Sequence, residues 1–580
     1  MIAVEKLITD NLDIWTSAIK TRSSAGRGSS NKIELYGIKK LRELILELAV
    51  RGLLVPQDPN DESATILLKK ASSKKAKLIE EGKIKKPKQL KSAPAKPTAR
   101  VLPKGWLSVL LQDIAIVDMG NSPPGHTYND TENGVPLING PVEFSKGPFG
   151  KTIKSKFTTA PNVMCQKGDI LVCVRGATTG RTNIADFNAC IGRGVARVKA
   201  LVNQRFVNLL MWENQQRLLA KGTGTTFPSI SYPDLAGHLV LLPPENEQHR
   251  IVAKVDELMA LCDQLEQQTE SSITAHKTLV ETLLGALTNA PDHDSFQQAW
   301  QRIAEHFDTL FTTEHSIDQL KQTILQLAVM GKLVPQDPND EPASELLKRI
   351  AAEKAKLIKE GKIKKQKPLP PISDKDKPFT LPDGWVFTRL DDLCFGITSG
   401  STPPKSNFTE EPGVPYLKVY NIRNQKIDFK YKPQFIDHDC HTTKLKRSIL
   451  YPGDVVMNIV GPPLGKIALV PESHPEWNCN QAITFFRPIH KELNKYIYTY
   501  LKAGIFLDSI ELIGTAGQDN ISVTKSRSIV LPMPPVNEQK RITDKLEKLM
   551  SICAQLADQI NKTKVIHFDL ANTITSRSVS

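Results

Sequence analysis

The chain has 580 residues, 40% of them hydrophobic, with a mean hydropathy of −0.27, enough for about three to five domains. No run approaches the ~20 apolar residues that would cross a bilayer, and the start, MIAVEKLITDNLDIW, lacks a charged-then-apolar leader pattern, so a cytoplasmic protein is expected. The net charge of +14 points to an acidic partner. The eight cysteines contain no CxxC pair, which argues against a zinc ribbon or a disulfide framework and leaves reduced, mostly buried thiols.

Residues 1–20 read as one amphipathic helix, with Val4, Leu7, Ile8, Leu12, Trp15 and Ile19 on a stripe. A Gly/Ser-rich linker, TRSSAGRGSSN, follows. From Ile33 a second helix carries Ile38, Leu41, Ile45 and Leu48 and ends at Gly52. Next comes the stretch LVPQDPNDE at Leu54–Glu62, then a Lys-rich helix, then a Pro/Ala/Lys linker at 87–100. This series returns 279 residues downstream. LVPQDPNDE recurs unchanged at Leu333–Glu341, AKLIEEGKIKK at Ala76–Lys86 recurs at Ala355–Lys365 with one change, and the LPKGW ending at Trp106 becomes the LPDGW ending at Trp385. Internal repeats dictate architecture. The chain is a duplicated unit.

The positive charge sits in the repeat as well. Residues 69–100 have a balance of +10 and residues 348–367 one of +7, which leaves the rest of the chain at −3. Solvated helical faces and nucleic-acid contact both explain such segments.

Residues 101–244 and 377–535 are richer in Val, Ile, Gly and Pro, with short alternating runs, and read as mixed α/β domains. Their anchors agree. Gly120-Asn121-Ser122-Pro123-Pro124 corresponds to Gly400-Ser401-Thr402-Pro403-Pro404, Gly134-Val135-Pro136 to Gly413-Val414-Pro415, Gly168-Asp169-Ile170 to Gly453-Asp454-Val455, and Gly180-Arg181 to Gly465-Lys466. Between the anchors the residues differ. Each domain closes on a Pro-Pro stop and a helix, PPENEQHR at 243–250 and PPVNEQKR at 534–541. In those helices Ile251, Val255, Leu258, Cys262 and Leu265, and Ile542, Leu546, Leu549, Cys553, Leu556 and Ile560, keep the 3.5-residue step of a coiled coil.

Catalytic patterns are missing. GPPLGKI at 461–467 lacks the spacing and the Ser/Thr of a phosphate loop, Ser122-Pro123-Pro124-Gly125 lacks the aromatic of a base-flipping methyltransferase loop, and the twelve histidines show no metal-ligand spacing.

Two variable domains framed by a Gly-Trp start and a PP-x-NEQ-x-R finish, around a repeated helical region, resemble the specificity (S) subunit of a Type I restriction–modification enzyme. The resemblance runs from about residue 33 to 565. It implies an α+β fold with two target-recognition domains separated by paired long coiled-coil helices, in a pseudo-twofold internal repeat. The expected segments are 1–100 (N-terminal helical region), 101–244 (first recognition domain), 245–376 (central helical region), 377–535 (second recognition domain) and 536–580 (C-terminal helix). It implies further that the chain is not an enzyme and holds no cofactor of its own. It would read a bipartite, asymmetric target in double-stranded DNA and dock two methyltransferase (M) subunits, which bring S-adenosylmethionine. Motor/nuclease (R) subunits would join through them with ATP and magnesium. The rival from another class is a coiled-coil protein–protein adaptor with two peptide-binding domains and no DNA role; a fused single-chain methyltransferase is disfavoured by the missing cofactor motif.

Base edges are read by Arg, Lys, Asn, Gln and Thr, which nominates Arg175, Thr178, Thr179, Arg181 and Arg193 in the first domain, with Lys221 and Thr223 for phosphate. In the second domain the candidates are Lys418, Asn421, Arg423, Lys466, Gln518 and Asn520. LVPQDPNDE, identical in both copies, is expected to shape two equivalent docking surfaces for M subunits. The repeat is nearly circular, so the two ends should pack together. One departure is a 16-residue insertion in the N-terminal copy, since Ile8 to Ile38 spans 30 residues where Ile303 to Ile317 spans 14.

Overall fold

The helix that precedes the first LVPQDPNDE runs from Tyr36 to Val50 and its later copy from Glu314 to Val329. Each stops at a glycine, Gly52 or Gly331, with φ of +72°, the left-handed conformation that closes a helix with least strain in a residue without Cβ. The structure, a computed structural model, describes residues 4–22, 32–86, 102–145, 150–176, 178–215, 218–219, 229–410, 412–461, 463–510 and 520–579. The chain divides into two units, residues 1–272 with 563–580, and residues 273–562. Each unit gathers one recognition domain with helices drawn from distant parts of the sequence.

In the first unit a four-stranded antiparallel sheet has the order Thr182–Ile184, Ile170–Cys173, Val195–Ala200, Ala115–Met119. A second sheet has the order Tyr128–Asn129, Phe157–Thr158, Val135–Ile138, Ala189–Ile191, Met164–Cys165, with one parallel pairing between Val135–Ile138 and Ala189–Ile191. The second unit repeats both. Ile467–Leu469, Val455–Asn458, Ile483–Phe486 and Thr398–Ser399 form the antiparallel sheet. Phe408–Thr409, Phe435–Ile436, Val414–Leu417 and Asn478–Cys479 form the mixed one, again with a single parallel pair. The Gly-Asp anchors open Ile170–Cys173 and Val455–Asn458, which are buried along their whole length, as the apolar runs require.

Each domain is closed by pairing its first strand with its last, Leu107–Leu110 with Leu239–Leu242 and Val386–Arg389 with Val530–Met533. The chain then enters a helix of 44 residues, Glu245–Thr288 or Val536–Val579, about 66 Å long at 1.5 Å per residue. Of the heptad positions, Ile251, Val255, Leu258 and Cys262 are buried in the first unit. In the second, Ile542, Leu546 and Cys553 share a core with Val280, Leu284 and Leu287 and with Ile317, Leu320 and Ile324.

The N-terminus differs from the single helix read from the stripe. Val4–Thr9 and Leu12–Ser17 are separate helices. Asn11 donates from Nδ2 to the Leu7 carbonyl, 2.9 Å, the competition for backbone groups that makes Asx residues poor helix interiors. Trp15 is buried, Leu12 is 43% exposed, and Ile19 begins a strand. That strand, Ile19–Arg22, pairs with Lys32–Leu35, so Ile33 belongs to a hairpin rather than to the following helix. The 16-residue insertion is this hairpin; residues 23–31, most of the expected linker, lie outside the described residues. The second unit has only the short helix Phe307–Leu310 in the corresponding span. The chain ends do meet, within the first unit. Ser17 Oγ lies 2.8 Å from His567 Nδ1, Tyr36 donates to Asn572 Oδ1 at 2.8 Å, and the Tyr36 ring sits edge-on to Phe568 at 5.0 Å.

Candidate nucleic-acid interface

The repeated motif is a buckle between the start and finish of each recognition domain. After the Gly52 cap, Asp58 Oδ1 accepts from the Asn60 amide at 2.9 Å and tightens the turn; Asp337 does the same for Asn339 at 2.9 Å. The last Asp of the motif reaches the finish, where Asp61 meets Arg250 and Asp340 meets Arg541. Behind the motif, the Ala64 amide donates to the Gly105 carbonyl at 3.0 Å and the Ala343 amide to Gly384 at 2.9 Å. The Trp of the start donates from its indole to the Glu of the finish, Trp106 to Glu247 at 2.9 Å and Trp385 to Glu538 at 3.0 Å. Burial pushes both Glu carboxyls up, against the pull of the indole hydrogen bond. Residues 56–60 and 335–339 remain exposed. The identity of the two motifs thus has an intramolecular cause, where the sequence by itself suggests docking alone.

With start and finish pinned, loops at the strand ends carry the variable residues. The Gly-x-(Ser/Thr)-Pro-Pro turn leaves the edge strand of the antiparallel sheet. The Gly120 amide donates to Val195 and the Asn121 amide to Ile191; in the second unit Gly400 donates to Ile483 and Ser401 to Cys479. A Cβ at Gly120 or Gly400 would collide with the carbonyl of Gly192 or of Cys479, which accounts for glycine in both copies.

The nominated residues separate on this frame. Arg175 is exposed at a bridge to Ser229, and Arg193 is exposed at the loop after Ala189–Ile191. Thr178 is half-buried, 3.4 Å from Cys173 Sγ. Thr179 is 1% exposed and donates to the Gly176 carbonyl at 2.7 Å, so it closes its own turn and is withdrawn as a base reader. Arg181 spends its guanidinium on the carbonyls of Phe144 and Ser145, both at 3.0 Å, and holds a loop. Lys221, Thr223 and Gln518 lie outside the described residues.

In the second unit Asn421 is fully buried, accepting from the Lys418 amide and donating to the Tyr431 carbonyl at 2.9 and 2.8 Å. It too is withdrawn, because no polar atom of it reaches the surface. Lys418 lies over the Phe408 ring, 5.3 Å from its centre. Arg423 is exposed and stacks on Tyr431 at 4.3 Å, a guanidinium–aromatic platform of the kind that holds bases. Lys466 and Asn520 are half-buried, with Asn520 bridging Val460. Gln481 was missed. It is exposed at the loop after Asn478–Cys479, and its neighbours Asn480 and Ala482 share no identity with Gly192 and Gly194, so only the strand pairing reveals its equivalence to Arg193.

The Lys-rich helices, Ala64–Glu80 and Ala343–Lys359, have mixed roles. Lys75 donates to the Gln112 carbonyl and Lys354 to the Asp391 carbonyl, equivalent braces onto the recognition domains. Lys69, Lys74, Lys77, Lys356 and Lys359 are exposed. Among the described residues no cluster of His, Cys, Asp or Glu is arranged to hold a metal ion, and no helix is long and apolar enough to cross a membrane.

Two domains on one scaffold with different loop chemistry define an internally duplicated recognition protein. The model of the Type I restriction modification DNA specificity domain matches it twice, at residues 103–275 and 382–563, and the chain belongs to the specificity subunits of Type I restriction–modification enzymes. It is 40% identical to the Type I restriction enzyme EcoAI specificity subunit of Escherichia coli and 37% identical to the EcoEI specificity subunit of the same organism, each over the full length of both chains. A chain from a structural study of complex assembly and conformational transition of the type I R-M system aligns with a TM-score of 0.47 at 17% identity, over 83% of this chain and 99% of that one.

Proposed function

We propose that this chain reads a bipartite, asymmetric target in double-stranded DNA, one half-site per recognition domain, and docks two methyltransferase subunits and, through them, restriction/motor subunits. The observation that carries the reading is the duplication of both sheets of the scaffold while the loop residues differ, which is what two related but distinct half-sites demand. The 44-residue helices, with their heptad register, would pair as the spacer that sets the half-sites apart, about one helical turn or ~34 Å for a shared face of the duplex. An internal pseudo-twofold would give two identical M subunits equivalent surfaces on one chain, and the exposed turns at residues 56–60 and 335–339 are candidates for them. Methylation with S-adenosylmethionine, and ATP- and magnesium-dependent cleavage, would belong to the partners, inside the cytoplasm. The chain itself would hold no cofactor and catalyse neither step.

The test is DNA binding by the chain alone and with its methyltransferase subunit, against specific and random duplex at fixed salt. Tight sequence-specific binding should appear only with the partner. Specific binding by the chain alone would refute partner dependence, and methyl transfer by the chain alone would refute the non-enzyme reading. Capture of peptides with no DNA affinity in the complex would favour an adaptor.

A further inference from the structure

We infer that Arg193 and Gln481 are the matched specificity determinants of the two domains, Arg193 reading a guanine and Gln481 an adenine. The inference rests on the DNA-reading function proposed above and names the residues that perform it.

Hydrogen bonds, not sequence identity, establish the equivalence. In the first unit the parallel pairing sets Ile138 beside Ile191, after which the Gly192 amide donates to the Ile138 carbonyl and the Val174 amide to Gly194. In the second unit Leu417 stands beside Cys479, the Asn480 amide donates to Leu417, and the Ile459 amide to Ala482. The residue held between those two bonds is Arg193 in one unit and Gln481 in the other. Both are exposed.

The loops are also braced by the same element. Ser122 Oγ accepts from the Arg193 amide at 3.1 Å, and Thr402, its equivalent in the Gly-x-(Ser/Thr)-Pro-Pro turn, donates from Oγ1 to Gln481 Oε1. A Cβ at Gly192 would collide with Asn139 Oδ1, so the loop is packed tightly on its neighbour rather than free to swing. A reader needs this pre-organisation, because a loop backbone already fixed loses less entropy on binding.

The chemistry of the two side chains then divides. Among the described residues the Arg193 guanidinium has no partner, leaving its planar fork for the O6 and N7 acceptors of guanine. Gln481 has one lone pair of Oε1 taken by Thr402, which orients the amide plane; the other lone pair and the NH2 remain to match N6 and N7 of adenine. Arg447, exposed, donates to Ser401 Oγ at 3.3 Å and adds a cation to the turn that braces Gln481. The turn that sequence comparison marks as a shared anchor is thus the platform under both readers.

The experiment maps methylated adenines in cells carrying the full chain with its methyltransferase subunit, comparing the parent with Arg193→Gln, Arg193→Ala and Gln481→Ala. Either Arg193 variant should relax one G·C position of one half-site, with preference there falling roughly 10- to 100-fold and the other half-site intact. Gln481→Ala should do the same at one A·T position of the opposite half-site. A target unchanged in every variant, or methylation reduced evenly across all positions as for phosphate contacts, would overturn the inference while leaving the DNA-reading function standing. A parent complex without a two-part target would overturn that function itself, and the inference with it.

Discussion

Arg250 grips Asp61 with both terminal guanidinium nitrogens, Nη1 to Oδ1 at 3.2 Å and Nη2 to Oδ2 at 2.5 Å, and Arg541 Nη2 bonds Asp340 Oδ2 at 2.6 Å in the other copy. Both Asp side chains are only 5% exposed. A carboxylate so enclosed and paired joins the motif to the start of a 44-residue helix. Asp61→Ala should therefore destabilise the first unit by on the order of 1–2 kcal/mol, and Asp340→Ala the second. Hydrogen exchange should report faster opening at residues 54–62 or 333–341 in the matching variant and not in the other copy. Unchanged exchange at the motif would show that its shape does not depend on the pair.

The same buckles predict opposed pH effects. The Arg250 hydrogen bond pulls Asp61 below its ordinary 3.8, and Arg541 does so for Asp340. That stabilisation is present above 3.8 and is lost as pH falls through the depressed values. Burial raises Glu247 and Glu538 above their ordinary 4.5. For them the folded state prefers the protonated form, so their contribution is fully favourable below 4.5 and is lost as pH rises through the raised values. Glu247→Gln with Glu538→Gln should gain stability at neutral pH relative to the parent, and the gain should vanish below 4.5. Asp61→Asn with Asp340→Asn should lose stability at neutral pH, and the deficit should shrink below 3.8. Denaturant unfolding of each pair of variants across that range separates the two groups.

Thiol chemistry gives a simpler expectation. All eight cysteines are free and buried, and burial pushes the Cys165 and Cys262 thiols up to about 11. Little thiolate of these two exists near neutral pH, and the nucleophile is the thiolate. A maleimide reagent should label the native chain slowly and the denatured chain at all eight positions. Rapid native labelling at Cys262 would mean that this face of Glu245–Thr288 does not stay packed against its neighbours.

The legible part of this protein was what a periodic or repeated pattern records. Glycine caps, heptad registers and Gly-Asp strand openings leave such marks because the backbone or the core demands one residue type at one spacing. Ile19 and Ile33 were misassigned because an apolar side chain suits a helix stripe and a strand equally, and only their pairing across the hairpin decides. Thr179 and Asn421 were nominated for their chemistry, yet both satisfy backbone groups inside their own loops, a burial that polarity in a variable segment does not announce. Gln481 left no mark at all. Its equivalence to Arg193 rests on a parallel strand pairing that spans 64 residues, from Leu417 to Gln481, and topology of that range is not written locally.

Gly52 and Gly331 combine two constraints. Their φ of +72° disfavours any L side chain, and a Cβ would press on the Trp106 ring in one unit and on Pro382 in the other. Replacement by Ala should cost about 1–3 kcal/mol from the backbone conformation, before the clash is counted. Thermal unfolding of Gly52→Ala and Gly331→Ala checks this, and loss of native Trp fluorescence should accompany the first because the ring must move. A neutral substitution would require both helix ends to relax without disturbing the domain start.

The basic helices decide how much of the +14 charge serves DNA. Lys75 and Lys354 are committed to carbonyls of the recognition domains, so substituting them tests folding rather than binding. Lys74, Lys77, Lys356 and Lys359 are exposed and carry the discriminating experiment. Each lysine that neutralises a phosphate releases counterions, and the slope of log K against log salt falls by about 0.9 for each contact removed. With the four changed to Gln, the assembled complex should lose affinity for specific and random duplex alike, keep its target sequence, and show a shallower salt slope. A slope identical to the parent would assign these helices to protein docking or to solvated surface.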